Sequence, residues 1–499
     1  MSARKTVLLL SRGTRTRRLF LDMARNLAED HRIVVMSPEW TVADFSSMPS
    51  VEVRRYHTAD IDAPGRPGRG PGVGELRGRV REIEERLGLP VYKAASNYLL
   101  YGRFVKQYGG RWGYLEREEE ILRAFVGAYD ELSRVFEETR PDVVFYETLD
   151  FIASYVAFAL ARSRGVFGLE FRFSPLGQGR VFPAFGLFRR NVLLEHLYEH
   201  RDAIRPESYA SADDVLSALR ERLGGALYAK MHRTLVRENS PFNPRRILPA
   251  LLDPRSAVRG LQNIRWHARC AANRLWLGRH LSRQVPEQPY LIFFMQHIPE
   301  ASTCSEAPRW VDQDMVIEQL AINAPGHLRV VVKEHPRSYG HRGPAFFGPL
   351  QNLPNVTLCH PSTDNYELIS GAEAVVAING SVGLEGILLG KRVGILGRSS
   401  YSIYRGARLL DHPEEIYDAL RDATWHPEEM VQERRGFLAA YLQASYPFGH
   451  GSGLEIYPSN GGDLWAEALR QTMAGIERYG LQPSACLSGL PADPVSVPA

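Results

Sequence analysis

Between Tyr290 and Leu396 the chain repeats one pattern: a short apolar run, a helical stretch, then another apolar run. The runs are "YLIFFM", "LRVVVK", "NVTLC", "AEAVVAI" and "KRVGIL", and helical patterns such as Met315 to Ile322 lie between them. Short β-branched runs that do not alternate with polar residues read as strands buried on both faces. Strands linked by helices run parallel, because the crossover carries the chain back to the same edge before the next strand begins. The expectation is a doubly wound parallel sheet. Such a sheet also gives any ligand a location, in the crevice beyond the carboxyl ends of the strands.

The amino-terminal part follows the same logic. "KTVLLLSRGTRTRRLFLDMARNLAEDHRIVVMSP" reads as strand, basic loop, helix and strand, with Leu19, Met23 and Leu27 at near-helical spacing. Val51 to Thr58 supplies a third strand, and "RPDVVFYETLDFIASYVAFALARSRGVFGLEFRFSP" returns to strand, helix, strand. The opening loop lacks GxGxxG, so no dinucleotide cofactor is expected. At 499 residues the chain exceeds one core. The expected class is α/β, with two Rossmann-like domains and a central helical insertion. Residues 1–176 form the first domain and 177–286 an arginine-rich helical insertion or bridge. Residues 287–480 form the second domain and 481–499 a flexible tail.

Composition narrows the function classes. Hydrophobic residues are 44% and charged residues 24%, ordinary for a soluble globular chain, and a net charge of +4 is too small to imply nucleic acid. The basic stretch Ser11 to Arg18 is either a solvated loop or faces phosphates or an anionic surface, and the Pro/Gly/Arg loop "DAPGRPGRGPGVGELRGR" is expected to be mobile. Cys270, Cys304, Cys359 and Cys486 form no CxxC pair and have no His at ligand spacing, so neither disulfides nor zinc is expected and a reducing cytoplasm fits. The apolar run Phe151 to Ala161 falls short of the ~20 residues that span a bilayer. Membrane contact, if any, is expected to be peripheral.

The chemistry-bearing residues stand where strands stop. The run at Leu328 breaks into Lys333, Glu334, His335, Pro336 and Arg337. A histidine flanked by cations beyond a strand end suits an oxyanion. The strand Ala374 to Ile378 turns through Asn379, Gly380 and Ser381 into an apolar helix, where free N–H groups can hold a phosphate or simply cap a turn. Glu385 lies on the same helix face as Ser381, within reach of ribose hydroxyls or left as an ordinary helical charge. In the first domain Glu147 and Asp150 follow the strand "DVVFY", and Glu170 lies within "GLEFRFSP". Each is a candidate base or nucleophile, or else a cap or surface ion pair. "DID" (Asp60 to Asp62) and "DQD" (Asp312 to Asp314) match DxD, but Asp312 reads better as a helix amino cap, and no metal is expected. The aromatic, basic stretch Ser96 to Arg117 reads as core side chains interleaved with solvated arginines, the alternative being rings that stack on sugars or rest on a membrane.

"QHIPEAST", "VDQDMVIEQLA", "VKEHP" and "NGSVGLEGILLGKRVGILG" together resemble the bacterial capsular polysaccharide biosynthesis proteins, a group that includes Kdo transferases, over roughly Tyr290 to Tyr404. The resemblance implies a GT-B-like, metal-independent glycosyltransferase with a nucleotide-sugar donor, of which CMP-sugars are the instance in close relatives. It implies that His335 and Pro336 bind the donor's nucleotide phosphate, with Ser381 beside them. The acceptor is then a surface or capsular polysaccharide or its lipid-linked precursor, reached in the cytoplasm or at the inner membrane face. A nucleotide-sugar epimerase, a polyol-phosphate transferase and a non-catalytic polysaccharide-assembly protein remain open as alternatives.

Overall fold

The structure, a computed structural model, is described over residues 4–12, 16–57, 72–108, 115, 117–174, 176, 179–219, 254–422, 426–449 and 458–483. The first DxD match, part of the Ser11 to Arg18 stretch, most of the Pro/Gly/Arg loop, residues 220–253 of the expected insertion and most of the expected tail lie outside these residues. The chain divides into two compact units, one of Met1–Ser96, Leu115–Arg205 and Ala440–Ala499, the other of Asn97–Tyr114 and Pro206–Ala439.

The first unit is built on β1 (Thr6–Leu10), β2 (Arg32–Pro38), β3 (Val51–Tyr56), β4 (Val143–Tyr146), β5 (Phe167–Phe173), β6 (Arg180–Ala184) and β13 (Tyr446–Pro447). The strand order is β13-β6-β5-β4-β1-β2-β3, parallel from β3 to β5, with β6 and β13 added antiparallel at one edge. The helices Arg17–Leu27 and Gly461–Arg478 cover the sheet. Phe20, Phe145, Phe171 and Trp465 pack there ring to ring at 5.3–6.1 Å, an arrangement that adds edge-to-face attraction to simple burial.

The second unit holds β7 (Tyr290–Phe294), β8 (Arg329–Lys333), β9 (Val356–Cys359), β10 (Ala374–Ala377), β11 (Arg392–Ile395) and β12 (Ala407–Leu409). Their order is β12-β11-β10-β7-β8-β9, all parallel. Leu291, Phe293, Val330, Val332, Ala374 and Val376 form the centre of its core, with Ile317 and Leu320 from the helix Gln313–Ile322. The alternating pattern of the sequence is therefore the sheet itself, and the α/β class with two Rossmann-like units stands.

Four features depart from the sequence reading. The helix Ser96–Tyr108 belongs in part to the second unit, where Phe104 packs with Ile298, Cys304 and Val311. The chain also returns to the first unit from Ala440, where Tyr446 and Pro447 pair with β6 and the helix Gly461–Arg478 follows, so the stretch expected to close the second domain completes the first. Within the expected insertion, β6 is a strand. Asp312 occupies the amino-cap position of the helix Gln313–Ile322, but its carboxylate makes no cap and pairs with Arg103 at 2.5 Å.

Candidate functional site

In each sheet the chain starts at a central strand, builds outward on one side, then crosses to the other. The reversal falls between β7 and β10 in the second unit and between β1 and β4 in the first. Neighbouring loops leave in opposite directions at such a point and open a crevice at the carboxyl ends.

In the second unit the register is continuous across three strands, with Val376 opposite Phe293 and Phe293 opposite Val332. Three residues further on, just past the ends of β10, β7 and β8, come Asn379, Gln296 and His335. The row is knitted by side chains. The Gln296 amide nitrogen meets Asn379 Oδ1 at 3.0 Å, and its oxygen accepts from the backbone N–H groups of Asn379 and Gly380 at 2.9 and 2.6 Å. Asn379 Nδ2 donates to Ser302 O at 2.7 Å. Arg342 donates to Gln296 O at 2.9 Å and to Glu334 Oε1 at 2.7 Å, and the same Glu334 oxygen accepts the His335 backbone N–H at 2.6 Å. Burial pushes the Glu334 carboxyl above its ordinary range, against the pull of Arg342.

His335 is half-buried, and its Nδ1 accepts from Arg337 N at 3.1 Å. A neutral imidazole with Nδ1 as acceptor carries its proton on Nε2, so His335 presents an N–H donor. Burial, then the nearby His297, Arg337 and Arg342, hold it well below the usual histidine range. His297 and His341 cluster with it, at ring separations of 5.7 Å (His297 to His335) and 5.6 Å (His297 to His341). Burial pushes both down to about 3, with Arg337 and His297 respectively as the next causes. His297 Nδ1 lies 2.8 Å from the hydroxyl of fully buried Ser338. Pro336 opens the short turn Pro336–Ser338, and Arg337 is exposed, 3.9 Å from Glu300.

A second network runs under the turn into the helix Ser381–Leu388. Gly380 is its amino cap, and Tyr401 Oη donates to Gly380 O at 2.6 Å. Ser381 donates to Glu385 Oε1 at 3.0 Å, and Asn365 Nδ2 lies 3.4 Å from Glu385 Oε2. Lys333 donates to Thr363 O and to Asn365 Oδ1, and burial pushes it down to about 8 despite Glu385. Lys333 and Glu385, read from the sequence as facing a ligand, are both buried and bound within this network.

The structure thus brings His335, Pro336, Asn379, Gly380 and Ser381 to one sheet edge, with Arg337 at its surface. Gln296, His297, Glu334, Ser338, His341 and Arg342 were given no role from sequence. For Gln296 and His297 the signal existed: they follow β7 as His335 follows β8. What the row offers is N–H donors, from His335 Nε2 and the start of an eight-residue helix, to an anionic oxygen.

In the first unit, Glu147 and Asp150 follow β4 and Arg12 follows β1. Arg12 lies 3.5 Å from Asp150 and 4.0 Å above the Phe151 ring, and Thr148 donates to Asp150. Glu170 is buried in β5, where it accepts from Leu149 N at 3.1 Å and pairs with Arg172 at 2.9 Å. Glu170 therefore braces the loop that carries the other two acids. No cluster of His, Cys, Asp and Glu that could hold a metal occurs among the described residues.

Residues 264–419 match the family model described as capsule polysaccharide biosynthesis protein. A curated relative, Protein FixF of Sinorhizobium fredii, is 31% identical over 158 residues, which is 31% of this chain and 38% of that protein. The chain thus spans well under half the length of the curated relative it matches. Among solved structures, a Thermosulfurimonas dismutans KpsC beta Kdo 2,7 transferase is similar at 12% identity and a TM-score of 0.37, over 74% of this chain and 95% of that one. A UDP-GlcNAc 2-epimerase from Neisseria meningitidis is similar at 13% identity and a TM-score of 0.25, over 93% and 100%. Likenesses of this size do not bear on what the site binds.

Proposed function

We propose that the chain, whose residues 264–419 match the family model described as capsule polysaccharide biosynthesis protein, is a glycosyltransferase that moves a sugar from a nucleotide donor to a capsular polysaccharide or its lipid-linked precursor. The observation that carries this reading is the row Asn379–Gln296–His335 at the switch point of the second sheet, in which His335 Nδ1 accepts from Arg337 N and leaves Nε2 to carry the ring's proton. Cleaving a glycosyl–phosphate bond leaves charge on the phosphate oxygens. Preorganised N–H groups lower the barrier by stabilising that charge where it develops. His335 Nε2–H and the N–H groups opening the helix Ser381–Leu388 take that role, and no metal is required.

Ser381 enters with a condition. Its hydroxyl proton is committed to Glu385, so toward a phosphate it contributes its backbone N–H alone. The donor is proposed to be a pyrimidine nucleotide sugar, a CMP-sugar first. Glu147 and Asp150 are the proposed acids of the first unit, one of which deprotonates the acceptor or attacks the anomeric carbon.

A thermal-shift screen of nucleotides tests the donor claim. Ligand at ~100 times its dissociation constant stabilises by about 2.7 kcal/mol, and CMP should shift the transition most, with UDP or CDP next. No response to any nucleotide would refute the donor site. The acids are tested separately, with donor and acceptor at saturation and a chelator present. Glu147→Gln or Asp150→Asn should cut turnover by ~100-fold or more at nearly unchanged nucleotide affinity. Full turnover in both variants removes them from the chemistry, and loss of turnover on chelation removes the metal-free claim.

A further inference from the structure

Several surface arginines on this protein's helices are answered by carboxylates. On Val73–Leu87 and Glu118–Thr139, the residues Arg77, Arg79, Arg81, Arg123 and Arg134 all lie within 3.0 Å of Asp or Glu. The helix Pro254–His280 is built differently. Its 27 residues include Arg255, Arg259, Arg265, Arg269, Arg274 and Arg279 and no acid. Among the described side chains, Arg265, Arg269, Arg274 and Arg279 meet no carboxylate.

The helix has two unlike faces. Its inner face carries Cys270, Asn273, Arg274 and Leu277, and it seats the loop that follows His335. Asn273 donates to Gly340 O at 2.9 Å, Arg274 donates to Tyr339 O at 3.0 Å, and the Trp266 ring meets His341 at 4.9 Å in a tilted contact. The approach is close: a Cβ on Gly340 would lie 2.6 Å from Cys270 O, and one on Gly343 2.3 Å from Asn273 Oδ1. On the outer face, at 3.6 residues per turn, Ile264, Leu275, Ala268, Arg279, Ala272, Arg265 and Arg269 follow one another around an arc of about 140°. All are exposed, Leu275 at 70% and Ile264 at 47%. One margin of the arc is apolar and the other basic. No helix among the described residues is long and apolar enough to cross a membrane.

We propose that this face docks on an anionic lipid surface. Arginines without carboxylate partners meet lipid phosphates, while Leu275 and Ile264 enter the boundary between headgroups and acyl chains, and the long arginine stems let their charges stay at headgroup level. A dissolved polyanion would engage only the basic margin and leave Leu275 in water. The lipid surface accounts for both margins. The bound helix then holds the His335 loop on its opposite side, close to a membrane-borne acceptor. The docking claim does not depend on the donor reading, because it concerns residues outside the row.

The test is flotation of the full chain with vesicles of phosphatidylcholine alone or with ~30% phosphatidylglycerol, at low and high salt. Binding should need the anionic lipid and fall with salt. Arg265→Gln with Arg279→Gln should weaken binding by about 25-fold, at roughly 5-fold for each surface arginine, and Leu275→Ser should weaken it at both salt levels. Both variants should keep the wild-type melting temperature and nucleotide response. Equal binding to both vesicle types, no binding to either, or wild-type binding by both variants overturns the proposal. So does capture by dextran sulfate without capture by vesicles, which would make the face a polyanion site.

Discussion

A neutral imidazole and a charged one hold a phosphate on opposite sides of a titration, and His335 belongs on the neutral side. Its Nδ1 is occupied by Arg337 N, and burial holds it well below the usual range, so the Nε2–H donor is present at every pH above neutrality and for some way below it. Nucleotide affinity should therefore stay level between pH 6.5 and 8, measured by calorimetric titration. A site that relied on imidazolium would lose up to ~10-fold per pH unit over that window. His335→Ala removes one hydrogen bond to a charged oxygen, worth about 1.5–3 kcal/mol, or roughly 10- to 150-fold in affinity. Cys359→Ala, fully buried one strand away, is the control, lowering stability and leaving affinity unchanged. Unaltered affinity in His335→Ala would remove the residue from the site. The position of His335 was legible because proline and charge interrupt a β-branched run. The inward turn of Lys333 and Glu385 was not, because their shared partner Asn365, and Thr363 beside it, come from another segment, and spacing along one segment cannot show them.

At the scale of elements, two strand ends are tied together by one buried ion pair, and Gln296 carries the tie on to a third. Arg342 and Glu334 are 3% and 2% exposed, and one guanidinium spans the ends of β7 and β8. Arg342→Met leaves the Glu334 carboxylate buried without its cation, which should cost about 3–5 kcal/mol by chemical denaturation. Adding Glu334→Gln removes the stranded charge and should recover most of that loss. The double variant should still bind nucleotide less tightly, since Gln296 and the His335 peptide lose their common anchor. Full recovery of affinity along with stability would reduce the pair to a purely structural role. Strands β1 to β5 and β7 to β11 could be read from their apolar runs. The pairing of β6 with β13 could not, because two residues, Tyr446 and Pro447, make the contact from the far end of the chain. Arg342 was hidden for a related reason, lying in a loop whose partners are on two different strands.

Across the whole molecule, the two α/β units followed from the alternation of runs, but their limits follow from packing that no linear pattern records. Phe104 carries part of one helix to the second unit, and everything from Ala440 onward is assigned to the first. The second unit also concentrates a liability to acid. His297, His335 and His341 are all held neutral when folded, and each takes up a proton on unfolding once the pH is below the ordinary histidine value. A depressed histidine thus leaves stability untouched above pH 6.5 and lowers it progressively from there toward about pH 3, the folded value for His297 and His341. The slope is about 1.4 kcal/mol per pH unit for each group, so His297 and His341 should each cost up to about 2 kcal/mol by pH 5. Most carboxylates titrate below that window, so the histidines dominate it. Denaturation of the wild type at pH 7.5, 6.5 and 5 should show little change over the first step and a marked fall over the second. His297→Gln with His341→Asn will lower stability at neutral pH, but its second step should be shallower by up to about 4 kcal/mol. Equal slopes for the two proteins would mean that the cluster admits a proton in the folded state, and His335 could then no longer be treated as a fixed neutral donor.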